Sequence, residues 1–366
     1  GINITSRQGL WVLISTVVVV VAVTTGVTLH SCTRRPLEVY YMDKVRVRID
    51  VDWMTDFGIM PTGMTLMLAQ DGDTVTYEDI TNDVLSHYVE LSPGTYKLIV
   101  FGQSADEYAS MRFEDLISHD KGAARATPLA TRRTRSWDQG VGYMTNPEDI
   151  GVAVDTFTIT QDMLERQLEF VDWHLHDKLQ PTTTTYVYNE MVEPMITQLN
   201  VRVNIRGAQY VSGVEASISG MADGFYLSKV DRTLETGIML LPSWSFTPAD
   251  ETREYGQINT NISTFGLPFG KEKVENRLAE DNILKLHFYL RDGSEFQRDF
   301  EVGKIMKYLT PSGDALTKAE LLKHIEVEIY IEEYVDIPEV DQNYPSGFDA
   351  EVMDWEPGGI IDTGTM

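Results

Sequence analysis

Apolar and polar residues alternate without a break over residues 44–53. Val45, Val47, Ile49, Val51 and Trp53 are separated by single charged residues. Successive side chains of a strand point to opposite faces, so this period of two predicts a strand with one buried and one solvent-facing side. Related patterns predict further strands at 64–68, 87–91, 96–101, 152–159, 170–175, 199–205, 213–219, 238–241, 258–265, 284–290, 296–302 and 325–331.

Helical patterns are few and short. They occur at residues 162–168 and 316–324, whereas turn signals such as Asp292-Gly293 recur between the predicted strands. Many short strands with regularly spaced turns, and no long amphipathic helix, are typical of β-sandwiches. The sequence therefore predicts an all-β protein.

A polar stretch with one proline, residues 179–185, predicts a linker. Strand patterns on both sides of it predict two tandem domains, 43–178 and 186–335. A chain of 366 residues with 42% apolar content can bury two cores. The remaining tail, 336–366, is acidic and has neither Lys nor Arg. We expect it to be a solvated end, or else a segment that adds a strand to a sheet edge.

The longest apolar run lies ahead of these strands, at residues 10–23. Arg7 precedes the run, and small polar residues follow it. A positive start, an apolar core of about 7–15 residues and a small-residue exit are the features of a secretory signal peptide, which we predict at residues 1–31. The alternative is an uncleaved helix over residues 10–29, since about twenty apolar residues span a bilayer.

The single cysteine of the chain, Cys32, directly follows this segment. Leu29, His30 and Ser31 before it resemble the bacterial lipobox, in which the cysteine thiol receives a diacylglycerol and becomes the new N-terminus. Residues 32–42 would then be a lipidated tether. Both this reading and the uncleaved helix place the strand-rich part outside the cytoplasm.

The formal net charge of −26 excludes some partners. Binding to a phosphate backbone requires clustered Lys and Arg, so we predict no nucleic-acid partner. Attraction to anionic lipid headgroups requires basic segments too, so membrane attachment is expected through the N-terminus. With one cysteine no disulfide forms within the chain, and stability must come from buried apolar surface.

Metal binding has one weak candidate, Asp172 with His174 and His176, which share one face of a predicted strand. Two imidazoles and a carboxylate suit zinc. Exposed histidines on strands are the commoner case and no fourth ligand is visible, so we predict no metal and no cofactor.

One basic cluster, Arg132, Arg133 and Arg135, lies within residues 121–142, which show no apolar period. We interpret this stretch as an exposed surface loop. Two functional alternatives stay open. The cluster could dock an acidic surface, or it could present a cleavage site to an Arg-specific protease.

Signals for catalysis are weak. Asp50 with Asp52 and Glu326 with Glu328 share strand faces, as the paired acids of a glycosidase would. In a chain with 56 acidic residues, solvated faces are the simpler explanation. Catalytic motifs of hydrolases and metalloproteases are absent from the sequence, so we predict a protein that is not an enzyme.

Tryptophans could in principle stack on sugars. Trp53 is in phase with core residues, which favours packing. Trp137 and Trp244 lie in predicted loops. Exposure of these two side chains close together would favour glycan binding.

Six segments carry a resemblance to a known family: residues 29–32, 45–53, 61–66, 92–101, 155–157 and 199–205. Together they resemble the fimbrillin-type lipoproteins of Bacteroidetes, close to the fimbrial anchor subunits and a related family of uncharacterised members. The resemblance implies two transthyretin-like β-sandwiches, anchored by lipid at Cys32 in the outer membrane and facing the cell surface. It also implies that subunits join when a strand of one chain fills a groove of another.

The sequence therefore predicts an outer-membrane lipoprotein that anchors or assembles fimbriae, or acts as a minor adhesion subunit, and docks partner subunits by strand addition. The alternative is a glycan-binding surface lipoprotein of a polysaccharide uptake system. A surface hydrolase is a third hypothesis, and it requires a cleft with two facing carboxylates.

Overall fold

The computed structural model describes residues 43–53, 60–129, 141–169, 186–229, 231–309 and 326–341. Strands dominate these ranges, which confirms the predicted all-β fold. None of the helices in the described ranges has the length and apolar character needed to cross a membrane. The helix α1 spans Gln161–Glu169.

The strands follow one another in chain order along these ranges, and most predicted strands lie within them. They are β1 (Val45–Asp52), β2 (Met64–Gln70), β3 (Val75–Thr81), β4 (Ser86–Leu91), β5 (Gly94–Gly102), β6 (Met111–Glu114), β7 (Ala123–Ala126), β8 (Tyr143–Met144), β9 (Gly151–Ile159), β10 (Tyr186–Met191), β11 (Glu193–Pro194), β12 (Thr197–Arg206), β13 (Val211–Ala222), β14 (Gly224–Tyr226), β15 (Asp231–Arg232), β16 (Thr236–Leu241), β17 (Ser245–Pro248), β18 (Tyr255–Thr264), β19 (Ile283–Leu290), β20 (Glu295–Glu301), β21 (Lys307–Leu309) and β22 (Glu326–Asp336).

The first sandwich pairs a three-stranded sheet, β10-β1-β4, with a five-stranded sheet, β11-β9-β5-β2-β3. Strand β1 buries every second side chain, as its alternation predicts. Its Val47 and Ile49 share a core with Leu66, Leu98 and Phe157 of the facing sheet. Apolar burial between two sheets is the main stabilising term of such a sandwich.

The second sandwich pairs the sheet β17-β18-β12-β22-β21 with the sheet β20-β19-β13-β16-β8. Val201, Ile258 and Ile329 of the first of these sheets share a core with Ile218 and Leu286 of the other. The predicted hairpin around Asp292-Gly293 is confirmed, since β19 and β20 pair antiparallel.

The two sandwiches repeat one seven-strand arrangement. In each, the first strand lies at the centre of its sheet, between an antiparallel neighbour and a parallel one that comes last in the chain. These triplets are β4-β1-β10 and β18-β12-β22. The facing antiparallel strands also correspond, as β9-β5-β2-β3 and β20-β19-β13-β16.

A third core is built from both halves of the chain. The four-stranded sheet β15-β14-β7-β6 supplies Ala124 and Phe225, which pack with Met67 and Phe101 from the outer face of the first sandwich. Strand β2 is therefore buried on both faces. At the junction, Arg125 donates to both carboxylate oxygens of Asp223, at 2.8 and 2.9 Å.

Strand pairing also crosses the predicted domain limits. Residues 186–194, which the sequence assigns to the second domain, form β10 and β11 and pair with β1 and β9. Strand β8, from the first half, pairs with β16. The predicted linker 179–185, strand 170–175 and helix 316–324 lie outside the described residues.

The beginning of the predicted acidic tail, 336–366, belongs to the fold. Strand β22 continues to Asp336, whose Oδ1 lies 2.7 Å from Arg206 Nε. Ile337 is buried in the second core, and its N–H donates to the Arg206 carbonyl. Residues beyond 341 lie outside the described part.

Candidate functional site

Most of the predicted site residues lie outside the described ranges, so the roles proposed for them stay predictions. This group comprises the lipidation residue Cys32 with Leu29, His30 and Ser31, the basic cluster Arg132, Arg133 and Arg135, the metal candidates Asp172, His174 and His176, and Trp137.

The paired acids lie on the solvent-facing sides of their strands. Asp50 Oδ2 accepts a hydrogen bond of 2.8 Å from Arg48, and Glu328 pairs with Arg202. One carboxylate of each pair thus has a basic partner. This agrees with the interpretation of solvated strand faces and gives no support to a hydrolytic pair.

Trp244 lies in a loop between β16 and β17, as predicted, but it lacks the exposure that stacking on a sugar would require. Its side chain is only 4% exposed and packs in the second core. The indole Nε1 donates to the Leu241 carbonyl at 3.0 Å, which holds the ring inside. The core position predicted for Trp53 is confirmed, with its indole donating to the Val84 carbonyl.

Among the described residues, the three-stranded sheet has no further strand at either edge, where its counterpart has additional strands. In the second sandwich, β18 is flanked by β17 and β22 by β21. Within the part of the chain that the structure describes, no strand pairs with the outer side of β4 or of β10. An unpaired edge presents backbone N–H and C=O groups that another strand can bind.

Strand β10 carries no exposed charge. Its solvent-facing side chains are Val187 (40% exposed), Asn189 and Met191 (54% exposed). Edge strands usually carry charges, proline or other features that prevent pairing with further chains. Such features occur elsewhere in this chain: β20 exposes Glu295, Arg298 and Asp299, and β17 ends in Pro248. We call the exposed β10 residues 187, 189 and 191 the docking edge.

The inner side of β10 carries a buried carboxyl group. Glu190 is 6% exposed and interacts with Asp155 of β9. Burial, followed by the nearby Asp155 charge and a hydrogen bond between the two side chains, raises the pKa of Glu190 to about 7. Beside it, the Tyr188 ring stacks on Phe157, with centroids 4.3 Å apart.

Strand β4, the opposite edge of the three-stranded sheet, contacts strand β3 of the facing sheet through side chains. His87 Nε2 lies 2.8 Å from Asp79 Oδ2 on β3, and 3.4 Å from the Tyr77 hydroxyl. On the solvent side, the Arg46 guanidinium lies 4.5 Å from the centroid of the Tyr88 ring. This edge strand therefore exposes an aromatic ring, Tyr88, and a charge, Glu90, unlike the docking edge.

A small group that sequence reasoning missed could hold a metal ion. Ligand atoms of Asp73, His119 and Asp120 lie within 4.8 Å of one another. However, Lys97 Nζ is 3.2 Å from Asp120 Oδ1 and already supplies a positive charge there. The imidazole Nδ1 of His119 contacts the same oxygen at 2.9 Å. These contacts favour an ion-pair network.

Comparisons with known proteins agree with this architecture. Residues 31–241 match the model of a family described as a domain of unknown function, DUF5119. No curated protein matches the chain.

Solved structures similar to this chain include two from Bacteroides species, with TM-scores of 0.52 and 0.50, and these confirm the fold that the resemblance seen in the sequence implies. A protein from Bacteroides ovatus, assigned as an adhesin, has 16% identity, a TM-score of 0.52, and coverage of 85% of this chain and 98% of its own. Another assigned adhesin, from Bacteroides thetaiotaomicron, has 10% identity, a TM-score of 0.50, and coverages of 80% and 91%. The fimbrial anchor protein Mfa2 from Porphyromonas gingivalis has 11% identity, a TM-score of 0.44, and coverages of 78% and 90%.

Proposed function

The chain belongs to the DUF5119 family, and from this premise we propose that it is a non-enzymatic subunit of a fimbria or another adhesive structure on the cell surface. It acts as an anchor or a minor assembly subunit. Its partner subunit adds a strand to the three-stranded sheet at the docking edge. The fold shared with assigned adhesins supports this class of function.

The observation that carries the proposal is the uncharged edge of β10. In strand addition, main-chain hydrogen bonds supply affinity, and alternate side chains supply specificity. The internal repeat indicates how an added strand would lie, because β21 pairs antiparallel with β22 at the equivalent position. Val187 and Met191 offer apolar contact on the solvent side of such a pair.

Attachment to the cell follows from the N-terminal segment. We propose that residues 1–31 are removed and that Cys32 carries the lipid which holds the protein in the outer membrane, facing outward. Residues 32–42 then connect the lipid to the first sandwich. The basic cluster at Arg132, Arg133 and Arg135 is proposed either as a contact for an acidic partner or as a cleavage site.

Lysine substitutions at the docking edge test the proposal. A Val187→Lys and Asn189→Lys double variant puts two charges on exposed positions, where they oppose strand pairing but leave the core unchanged. The matched control is Gln297→Lys on β20, an exposed edge strand of the second sandwich. Lipidated protein is captured from intact cells, and the co-purifying proteins are identified by mass spectrometry.

We expect the wild-type protein and the control to retain the same surface-subunit partner, and the β10 variant to lose it. Unchanged recovery of that partner with the β10 variant would contradict docking at this edge. Recovery of no surface subunit by the wild-type protein would contradict the assembly function itself.

A further inference from the structure

Amide side chains form a regular array on the solvent-facing side of β12 and β18. Neighbouring residues on the same strands, such as Leu199 and Val201, point into the second core. The alternation therefore places the whole array on one face. This array, which we call the amide grid, consists of Gln198, Asn200 and Asn204 of β12 with Gln257, Asn259 and Asn261 of β18.

Strand register brings the members of the amide grid into direct opposition. Asn200 lies opposite Asn261, and Asn204 lies opposite Gln257. The Asn261 amide donates to Asn200 Oδ1, and Gln257 Nε2 donates to Asn204 Oδ1 at 3.1 Å. These cross-strand contacts fix the orientation of the amides before any ligand arrives, which reduces the entropy cost of binding.

Hydroxyl groups extend the grid along β18 and onto the neighbouring strand β17. Gln198 Nε2 donates to Ser263 Oγ at 3.1 Å, and Ser245 Oγ of β17 donates to Asn259 Oδ1 at 2.6 Å. The result is an array of neutral donors and acceptors around the ion pair of Arg202 with Glu328, spaced by the strand separation of about 4.8 Å.

Folding alone does not explain this choice of residues. Asparagine is depleted in strands, where β-branched residues such as threonine and valine are preferred. Three asparagines and a glutamine form the two opposed pairs on β12 and β18, against this preference. Local departures from the residues that best suit a fold are expected where function requires them.

The chemistry of the grid selects the ligand class. Each primary amide has two donor hydrogens and two acceptor lone pairs. Asn204 already donates to the Tyr330 hydroxyl and to the Glu332 carbonyl, whereas the single contact between Asn200 and Asn261 leaves both of these amides capacity for a ligand. The nearby Arg202 is paired with Glu328 and lies over the Tyr330 ring, 4.5 Å from its centroid. Arg206, the other outward-facing arginine of β12, is paired with Asp336, so this face offers no unpaired cluster of cations of the kind that a nucleic acid requires.

We propose that the amide grid binds a neutral polysaccharide. Sugar hydroxyls both donate and accept hydrogen bonds, which matches the amides and the serine hydroxyls. This inference goes beyond the proposed assembly function. The grid lies on the second sandwich, whereas the docking edge lies on the first, so the two activities are separable by mutation.

Valine substitutions test the grid without weakening the strands. An Asn200→Val and Asn261→Val double variant removes one opposed pair and introduces better strand formers. The control is Gln297→Val on exposed β20. Binding of the full chain is measured by affinity electrophoresis in gels containing individual neutral polysaccharides, chosen from a glycan array, with thermal unfolding as the check of folding.

We expect the double variant to bind the retarding polysaccharide about tenfold or more weakly, since one lost hydrogen bond of about 1.4 kcal/mol corresponds to a factor of ten. The control should bind as the wild-type protein does. If the double variant unfolds, Asn200→Thr with Asn261→Thr takes its place. The proposal is overturned if only acidic glycans are bound, if no glycan is bound, or if the folded variant retains full affinity.

Discussion

Buried Glu190 on β10 interacts with Asp155 on β9, and this interaction links the three-stranded sheet to the sheet that faces it. Two carboxyl groups can share a hydrogen bond when one of them is protonated. The edge strand proposed to receive a partner is therefore held by a pair of acids whose state of protonation depends on pH.

The first prediction concerns this pair. The pKa of Glu190 is raised to about 7 in the folded chain from an ordinary value of 4.5, so the folded state binds the proton more tightly. Stability from this group is complete below pH 4.5 and decreases as the pH rises to about 7, by roughly 3 kcal/mol. Glu190→Gln should remove this decrease. Denaturant unfolding of both proteins at pH 5 and pH 8 measures the difference, and identical pH dependence in the two proteins would refute the assignment.

The third core provides a second prediction. Phe225 is fully buried there, and its ring lies 5.7 Å from that of Phe265. Phe225→Ala should lower the free energy of unfolding by about 3–5 kcal/mol, because a large cavity is left. Phe269→Ala, at an exposed phenylalanine, is the matched control and should change it by less than about 1 kcal/mol. Equal effects in the two variants would show that the third core does not stabilise the chain.

The C-terminal end of β22 provides a third prediction. Truncation after residue 341 should leave the unfolding free energy unchanged. Truncation after residue 334 removes the buried Val335 and Ile337 and should lower it by roughly 3–5 kcal/mol. Calorimetry of the two truncated proteins distinguishes the cases. A large loss of stability already in the longer protein would assign a structural role to residues beyond 341.

The proposed lipid anchor at Cys32 provides a fourth prediction. Cys32→Ala removes the thiol that accepts the diacylglycerol, so the protein should leave the outer-membrane fraction. Cell fractionation and mass spectrometry of the mature N-terminus measure this. A variant that still sediments with membranes would instead favour the uncleaved helix over residues 10–29.

Alternation along the sequence was sufficient to predict the principal strands, because side chains of a strand with one wet face repeat every two residues. Strand β1 shows this clearly. Strand β2 does not, since Met67 is covered by a sheet whose strands come from distant parts of the chain. Strand β3 was not predicted, because its half-buried edge position leaves little contrast between its two faces.

The candidate sites were less predictable, because they too depend on contacts between residues that are far apart in the sequence. The burial of Trp244 depends on contacts with strands far away in sequence, so its position in a predicted loop did not indicate that its side chain is buried. The exposure of β10 follows from its parallel pairing with β1, nearly 140 residues earlier. The amide grid leaves a local signal, asparagines in phase along β12 and β18, and its significance is visible only once the register pairs them.

The sheet β15-β14-β7-β6, whose strands come from both halves of the chain, has a mechanical consequence. A cut between the sandwiches would strip Met67 and Phe101 of their cover and leave each fragment with half of a hydrophobic layer. Neither half is an interchangeable module. A force applied to one sandwich must disrupt this shared layer before the two sandwiches can separate. The chain would therefore bear the force as one mechanical unit.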